Sequence, residues 1–237
     1  MRKYTLNENF FEKINTQEKA YWLGFMYADG NCYNNYAKIG LQERDGYILK
    51  HFMAALESNQ PVHKLNRVKE HHQDISYVTI YSKKLVSDLN KLGCIPNKTK
   101  TLTFPDYIIV PQHLMHHFIR GYFDGDGSIW EGQRKIMTVK DSTRVSGYRD
   151  RIIHNVKFNI TGNLQFITGI RDELVKIGFN SVKININKRI ENSASLEYSG
   201  RGNMSLFYNY IYNNATIYLN RKKEKFESII SPIRANM

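Results

Sequence analysis

The sequence predicts an α+β fold built from two related halves, each with the element order αββαββα. An apolar, aromatic run that ends in Asp-Gly occurs twice, at Tyr21–Gly30 and at Phe118–Gly127. A similar succession of helical and strand-like patterns follows each run. The predicted halves are residues 1–100 and 111–237, joined by a linker over 101–110, and the two runs are predicted to be paired helices at the centre.

Both runs carry small residues four positions apart, which favours close packing of two helices. Positions i and i+4 lie on one face of a helix. The small pairs are Gly24 with Ala28 and Gly121 with Gly125. Two such faces can approach more closely than the usual interaxial distance of about 8–10 Å. Packing of this kind would bring the final acids, Asp29 and Asp126, together at one end of the pair.

Local patterns predict the same elements in both halves. Asn15–Glu18 forms a capping-box pattern that opens the first helix. In the N-terminal half we expect strands within 31–42, an amphipathic helix from Asp45 to about Glu57, a hairpin of 62–68 and 75–81, and a helix over Lys83–Leu92 closed by Gly93. In the C-terminal half we expect a helix opened by Pro111, strands near 128–139 and 152–161, a helix over 163–177, a hairpin of 182–187 and 195–198, and helices over 203–213 and near the C-terminus.

The spacing of matching residues supports a duplication. Asp126 follows Asp29 by 97 residues, whereas Lys222 follows Lys98 by 124. The difference of 27 residues fits an expansion concentrated in a loop over 130–154. Lys98 and Lys222 then occupy matching places in the repeat.

The two acids break a local electrostatic rule at matching places. A carboxylate at the negative end of the helix dipole costs about 0.3–1 kcal/mol, and two neighbouring carboxylates also repel each other. Such a violation usually marks a functional site, and a bound divalent cation would remove the penalty. Gly30 and Gly127 suit the left-handed position that closes a helix, which would leave their carbonyl oxygens as further metal ligands. The alternative is that each Asp-Gly is only a turn.

The two motifs resemble the signature of the LAGLIDADG homing endonuclease family, in its single-chain, two-motif form. Trp22–Gly30 and Ile119–Gly127 match the nine signature positions, although neither has the consensus spelling. Tyr27 replaces the earlier acid of the consensus in the first copy, whereas the second copy keeps Asp124. Asp124 lies on a different helix face from Asp126, and we expect it to cap or structure the turn.

The resemblance implies a metal-dependent DNA endonuclease. Asp29 and Asp126 would be the catalytic, metal-binding pair, with one acid for each strand, helices over the minor groove and 3′ overhangs as products. Mg²⁺ suits such oxygen ligands, and Mn²⁺ is expected to substitute for it. Lys98 and Lys222 are candidates to assist the reaction, or are plain phosphate-contacting lysines in basic loops. Gln42 is a further candidate for positioning the water or the metal.

Two sheets beside a helix pair can form a saddle that follows the DNA major groove. Asn and Arg can contact bases in a bidentate way, while Lys more often neutralises phosphate. Candidate contacts are Asn34, Asn35, Lys64, Asn66, Arg67, Lys69 and Lys100 in the first half, and Arg134, Lys135, Lys140, Lys183, Asn185, Asn187 and Arg189 in the second. For each of them the alternative is a solvated outer strand face.

Composition agrees with a globular nucleic-acid-binding protein. The 237 residues are 41% hydrophobic and carry a net charge of +12, which favours a polyanionic partner. Charge alone does not separate DNA, RNA and anionic membranes. There is no apolar run of membrane-spanning length, so no membrane span is expected. No apolar segment follows Met1–Tyr4, so no secretory signal is expected. Cys32 and Cys94 form no CxxC pair, which is consistent with reduced thiols.

These observations together predict a monomeric, sequence-specific endonuclease that cuts both strands of a long asymmetric site in double-stranded DNA. We expect it to be soluble and intracellular, in the cytoplasm or in an organelle if it is organelle-encoded. The alternatives on the same fold are an RNA-splicing maturase that binds intron RNA and a DNA-binding regulator that does not cut. An intein is disfavoured because protein splicing uses a Cys or Ser at the start and His-Asn at the end. This chain begins with Met1 and ends in Ala235-Asn236-Met237.

Overall fold

The computed structural model of the chain describes residues 3–66, 74–140, 143, 145 and 148–231. The first half contains α1 (Gln17–Ala28), β1 (Gly30–Tyr33), β2 (Tyr36–Gln42), α2 (Ile48–Ala55), β3 (His63–Leu65), β4 (Ile75–Tyr81) and α3 (Lys83–Lys91). The second contains α4 (Met115–Asp126), β5 (Gly127–Lys140), β6 (Tyr148–Asn163), α5 (Leu164–Lys176), β7 (Asn185–Ile186), β8 (Ser193–Ser199), α6 (Arg201–Tyr212) and α7 (Asn220–Ile230). Short 3₁₀ turns span Glu43–Asp45, Lys98–Lys100 and Gln112–Leu114.

The two sheets have the same topology. Each has four antiparallel strands, in the order β1-β2-β4-β3 and β5-β6-β8-β7. The predicted α+β fold and the αββαββα order are therefore confirmed, with α7 added to the second half. The expected loop expansion is instead a longer hairpin, because β5 and β6 have 14 and 16 residues where β1 and β2 have 4 and 7.

The helices α1 and α4 are in backbone contact. A Cβ atom placed on Gly24 would lie 2.0 Å from the carbonyl oxygen of Phe118. A Cβ atom on Gly121 would lie 1.9 Å from the carbonyl oxygen of Tyr21. No side chain fits between the helices at these two points, so the small-residue faces meet as the sequence indicated.

α1 lies in the middle of the core. Every residue from Ala20 to Tyr27 is buried, and a helix that is apolar all round belongs inside a protein. The ring of Trp22 packs on Phe52 of the first half at 4.6 Å between centroids. On the other side of the helix, the Tyr27 ring meets Phe118 of α4 at 5.0 Å. The motif helices thus join the cores of both halves.

The start of α1 differs from the expected capping box. The Oγ1 atom of Thr16 accepts a hydrogen bond from the backbone N–H of Lys19 at 3.3 Å, so Thr16 is the N-cap. The third residue after the cap is this lysine, whereas a capping box needs Glu or Gln there to bond back to the cap. Thr16 therefore caps the helix without the reciprocal bond. Within the described ranges, no helix is long and apolar enough to cross a membrane.

The contact between the two helices makes a testable prediction. Gly121→Ala should lower the free energy of unfolding by about 3 kcal/mol or more, because the new methyl group meets backbone atoms that cannot move aside. Gly202→Ala in α6 is the matched control, since nothing beyond its chain neighbours and its own helix backbone lies within 4 Å of a Cβ there. The control should stabilise the protein by up to about 1 kcal/mol. Urea unfolding of both variants measures the difference, and equal stabilities would refute the close contact.

Candidate functional site

Two carboxylates lie at the same end of the helix pair. Asp29 directly follows α1, and its backbone N–H donates to the carbonyl oxygen of Phe25 at 3.0 Å. Asp126 is the last residue of α4. A Cβ atom on Gly125 would lie 2.9 Å from the Oδ2 atom of Asp29, so this carboxylate reaches over the backbone of the other helix beside Asp126. Asp29 is half-buried and Asp126 is exposed.

The surroundings of these acids disfavour their charged forms. The pKa of Asp29 is raised to about 6, mainly by burial and then by the charge of the neighbouring Asp126, while Lys222 and Lys98 oppose the shift. Loss of water contact at the carboxyl group also raises the pKa of Asp126, while Lys222 and Lys98 oppose the shift. The two acids therefore form a coupled pair, in which the negative charge of Asp126 disfavours ionisation of Asp29.

A lysine reaches the backbone beside each acid. The side chain of Lys222 is buried, and its Nζ atom donates to the carbonyl oxygens of Phe123, Asp124 and Gly127 at 2.5, 2.7 and 2.7 Å. Burial lowers the pKa of Lys222 to about 8. The Nζ atom of Lys98 donates to the carbonyl oxygen of Gly30. The two lysines thus place positive charge at the helix ends that carry the acids, which offsets the unfavourable helix dipole.

The glycines after the two acids have a role different from the expected one. Neither Gly30 nor Gly127 is left-handed, and Gly127 is extended, with φ −86° and ψ 154°. The expectation of a left-handed cap was wrong, because the chain passes straight from each helix into a strand. A Cβ atom would lie 2.6 Å from the Met26 carbonyl oxygen at the first glycine and 2.5 Å from the Phe123 carbonyl oxygen at the second. Each glycine carbonyl oxygen keeps a second lone pair beside its lysine, so metal binding there stays a prediction.

Asp124 ties the second motif helix to the segment that carries Lys222. It is buried, and its Oδ2 atom accepts hydrogen bonds from the hydroxyl of Tyr21 and the backbone N–H of Leu219, both at 2.8 Å. Burial raises its pKa to about 6. Asp124 therefore structures a distant segment and not its own turn. In the first half the matching residue is Tyr27, whose hydroxyl donates to the Leu92 carbonyl oxygen.

Arg120 holds the same segment from inside the protein. Its side chain is fully buried in the middle of α4 and donates to the carbonyl oxygens of Ile217 at 2.9 Å and Ile211 at 2.8 Å. A buried charge needs such partners. The Nδ1 atom of His117 lies 2.6 Å from the guanidinium, and burial lowers the pKa of His117 to about 3, so the ring is neutral. The sequence signal for this residue was a charge inside an apolar run.

The donor atoms at the helix ends suit a hard cation. In the parts of the chain that the structure describes, no three His, Cys, Asp or Glu side chains cluster as a metal site. Asp29 and Asp126 instead offer two carboxylates at an open surface, with carbonyl oxygens close by. Mg²⁺ prefers oxygen ligands and keeps several waters, so a site with few protein ligands fits its chemistry.

Gln42 ends β2, on the side of the sheet towards the helix ends. Ile39 pairs with Gly30, the residue after Asp29, and Gln42 lies three residues farther along the same strand. Its side chain is exposed. A role in positioning water or metal stays a prediction.

Comparison with solved structures identifies the architecture. The structure of I-LtrWI, a LAGLIDADG homing endonuclease bound to target DNA, matches with a TM-score of 0.55 over 94% of this chain and 89% of that chain, at 10% identity. The chain has the LAGLIDADG fold. The meganucleases I-AabMI and I-CpaMI, each bound to uncleaved DNA, match with TM-scores of 0.54 and 0.52 at 12% and 15% identity, and each match covers 89% of this chain and 88% of the other.

Sequence comparison adds one distant relative. A replication factor C small subunit from Methanocaldococcus jannaschii is 26% identical over 189 residues, or 79% of this chain. The chain spans only about 9% of the length of that protein. No family model matches the sequence. The LAGLIDADG fold is therefore established by structure, at identities too low to transfer an activity.

The outer face of the first sheet is rich in tyrosine. Alternate residues of β1, β2 and β4 point away from the core and include Tyr33, Tyr36, Lys38, Tyr77 and Tyr81. Neighbouring rings lie close together, at 6.1 Å for Tyr33 with Tyr36 and 5.9 Å for Tyr36 with Tyr81. The Nζ atom of Lys38 lies 5.1 Å from the centre of the Tyr77 ring. Sequence reasoning missed these residues, although they recur with the period of two that marks one face of a strand.

The strand register places Lys64 on the side of the first sheet opposite the tyrosines. In the register of β3 with β4 it stands opposite Ser76, which is buried, and directly opposed residues share one face of a sheet. Lys64 therefore lies on the core-facing side at the edge of the sheet, where it forms an ion pair with Glu43. Asn34 and Asn35 form the exposed turn between β1 and β2, as a groove contact requires.

The remaining candidate DNA contacts of the first half follow β3 and α3 in the sequence. Asn66 is exposed just after β3. Arg67 and Lys69 lie outside the described residues. The Nζ atom of Lys100 makes an exposed ion pair with Glu191 of the second half at 2.6 Å, which competes with a phosphate contact.

The outer face of the second sheet has amide and hydroxyl groups. Asn185 pairs with Ser195 and faces outward beside Asn159 and Thr161 of β6, as expected for a groove contact. Asn187 does not have a free amide oxygen, because its Oδ1 atom accepts from the backbone N–H of Arg189 at 2.9 Å. Lys135, Lys183 and Arg189 are exposed. Arg134 and Lys140 belong to β5, but their side chains lie outside the described part of the chain.

The raised pKa of Asp29 predicts a pH-dependent stability. Ionising Asp29 costs more in the folded protein than in the unfolded chain, because its pKa is raised from 3.8 to about 6. In EDTA at pH 7.5, Asp29→Asn should therefore melt about 3 °C or more above the wild type. The gain should vanish below pH 4, where the wild-type carboxyl is protonated. Asp172→Asn, at an exposed acid, is the control and should change little. A lower melting temperature for Asp29→Asn at pH 7.5 would contradict the assignment.

Proposed function

We propose that the chain is a metal-dependent endonuclease that cuts both strands of a specific site in double-stranded DNA. The observation that carries this proposal is the pairing of Asp29 and Asp126 at one open end of two motif helices, each beside a lysine that neutralises the helix end. The LAGLIDADG fold adds support, since I-LtrWI is a homing endonuclease bound to target DNA.

The charge of the chain and the shape of the site favour a nucleic acid as substrate. The net charge of +12 attracts a polyanion. The two acids lie at an open surface beside β1 and β5, the first strands of the two sheets, so a long duplex can reach both acids and both outer faces. The faces differ, with tyrosines on one and amides and hydroxyls on the other, which fits an asymmetric target.

In the proposed reaction, each acid serves one DNA strand. Asp29 and Asp126 would hold Mg²⁺, with Mn²⁺ able to replace it, and such a metal would supply activation of water and stabilisation of charge at the phosphate. The pair favours binding of a cation, because a cation would relieve the electrostatic repulsion between the two ionised carboxylates. Lys98 and Lys222 hold the backbone beside the acids and keep positive charge where a phosphate enters. We expect 3′ overhangs, which follow from cuts across the minor groove.

The first test is cleavage of a randomised duplex library with Mg²⁺ and with EDTA, followed by sequencing of the ends. We expect metal-dependent cuts at one long asymmetric site with 3′ overhangs. Enrichment of bound duplexes without cuts would favour a regulator. A library that is neither bound nor cut would contradict the proposal. The next test would then use structured intron RNA, as a maturase requires.

Removing either acid should separate binding from cutting. Asp29→Asn and Asp126→Asn should each abolish double-strand cleavage, while DNA affinity changes less than about tenfold, because each removes a metal ligand and keeps the shape of the site. Mg²⁺ should raise the melting temperature of the wild type and not of either variant. Asp172→Asn is the control and should cut normally. Double-strand cleavage at the wild-type rate by either single variant would refute the paired site.

The outer face of the first sheet predicts a salt effect. Affinity should fall with salt with a log–log slope of about −0.9 for each phosphate neutralised. Lys38→Ala should make this slope shallower by about 0.9, because Lys38 lies on the outer face. Lys64→Ala is the matched control and should leave the slope unchanged, since Lys64 lies on the opposite side and pairs with Glu43. Equal effects of the two substitutions would contradict the assignment of faces.

A further inference from the structure

The first half of the chain holds the segment that carries Lys222. The backbone N–H of Asn220 donates to the hydroxyl oxygen of Tyr47 at 2.7 Å. The guanidinium of Arg221 binds Asp45 in a bidentate way, with Nε 2.8 Å from Oδ1 and Nη2 2.7 Å from Oδ2. Asp45 is only 5% exposed, so the pair is partly shielded from water. Two consecutive residues before Lys222 are thus fixed by residues far away in sequence.

The second half holds the segment after Lys98 in a similar way. The Nδ2 atom of Asn163 donates to the carbonyl oxygen of Leu102 at 2.8 Å, and Asn163 is buried. The Nδ2 atom of Asn192 donates to the carbonyl oxygen of Lys100 at 2.7 Å. Tyr47 and Asn163 directly precede α2 and α5, so they occupy the same place in the two halves. Each lysine segment is therefore clamped by the opposite half.

We propose that Asp45 and Tyr47 are positioning residues for Lys222, and that Asn163 is the positioning residue for Lys98. The proposal rests on the proposed function for its meaning in catalysis. Through these contacts, the lysine beside each catalytic acid is positioned by the opposite half of the chain. Cleavage of each strand therefore depends on both halves.

The geometry of Lys222 explains why its segment needs fixing. Lys222 is the third residue of α7, so the position of residues 220 and 221 sets the direction of its side chain. Its Nζ atom bonds three carbonyl oxygens between 2.5 and 2.7 Å. A shift of about 1 Å would break these bonds, and misplacement on that scale can cost on the order of a hundredfold in rate. The charge pair at Asp45 opposes such a shift.

The first experiment measures exposure of Lys222 and needs no cleavage. The wild type and Asp45→Asn are treated briefly with acetic anhydride, and acetylation of each lysine is read by mass spectrometry. Acetylation of Lys222 should be slow in the wild type and about tenfold or more faster in Asp45→Asn, because the segment opens more often. Lys98 is the internal reference and should be unchanged. Acetylation of Lys222 at the wild-type rate would overturn the proposal, whether or not the chain cuts DNA.

The matched control is Asp88→Asn. Asp88 is also a buried acid of the first half, 4% exposed, and it pairs with Lys84 at 2.5 Å, away from the Lys222 segment. It should leave the acetylation of Lys222 unchanged, and equal acceleration in both variants would refute a specific clamp. Tyr47→Phe removes only the hydroxyl that accepts from Asn220 and serves as the milder variant. Asp45→Asn combined with Arg221→Gln should be no worse than either change alone if they act as a pair.

The second experiment resolves the strands on the cleavage site. Asp45→Asn should slow the cut at one strand by about tenfold or more and accumulate nicked DNA. Asn163→Ala should accumulate nicks in the other strand, and Asp88→Asn should leave the strand ratio unchanged. Equal loss on both strands in Asp45→Asn would overturn the strand-specific clamp. A wild type that cuts no DNA would refute the proposed function, and the acetylation rates would still decide the inference for Lys222.

Discussion

The backbone contact between α1 and α4 is the constraint on which the rest of the structure depends. At Gly24 and Gly121 the two helices leave no room for a methyl group. This contact brings the two helix ends together, and with them Asp29 and Asp126. It also joins the two cores, since α1 packs Trp22 on Phe52 of the first half and Tyr27 on Phe166 of the second. Loss of the contact would therefore affect stability and the site together.

The negative charge of the two carboxylates at the site is offset by two lysines. Burial, and then the charge of the neighbouring Asp126, raise the pKa of Asp29 to about 6. Lys222 and Lys98 supply positive charge to the same carbonyl-rich ends, but unequally, because Lys222 is buried against three carbonyl oxygens and Lys98 is half-buried against one. Both halves therefore place a lysine at the end of the motif helix, but Lys222 is held by more hydrogen bonds than Lys98.

The asymmetry extends to the segments around the site. Asp124 accepts from the backbone before Lys222, whereas Tyr27 donates to the backbone before Lys98. Both side chains fasten the chain that leads to a lysine, with opposite hydrogen-bonding roles. The outer sheet faces diverge as well, with Tyr36 and Tyr77 on one and Asn159 and Asn185 on the other. A duplicated scaffold can diverge in this way because the helix contact, which both halves need, stays fixed.

The sequence by itself determined the order of elements, the helix pair and the positions of the two acids and two lysines. These follow from periodicity, from small residues four apart and from matching spacing in a repeat, which are properties of the chain. Only the tertiary structure decided which side of the first sheet Lys64 takes, because the register of β3 with β4 sets that side. It alone brought Asp45 to Arg221, 176 residues apart, and it replaced the expected left-handed glycines with a direct passage from helix to strand. Such contacts depend on how the halves pack, and no local pattern encodes them.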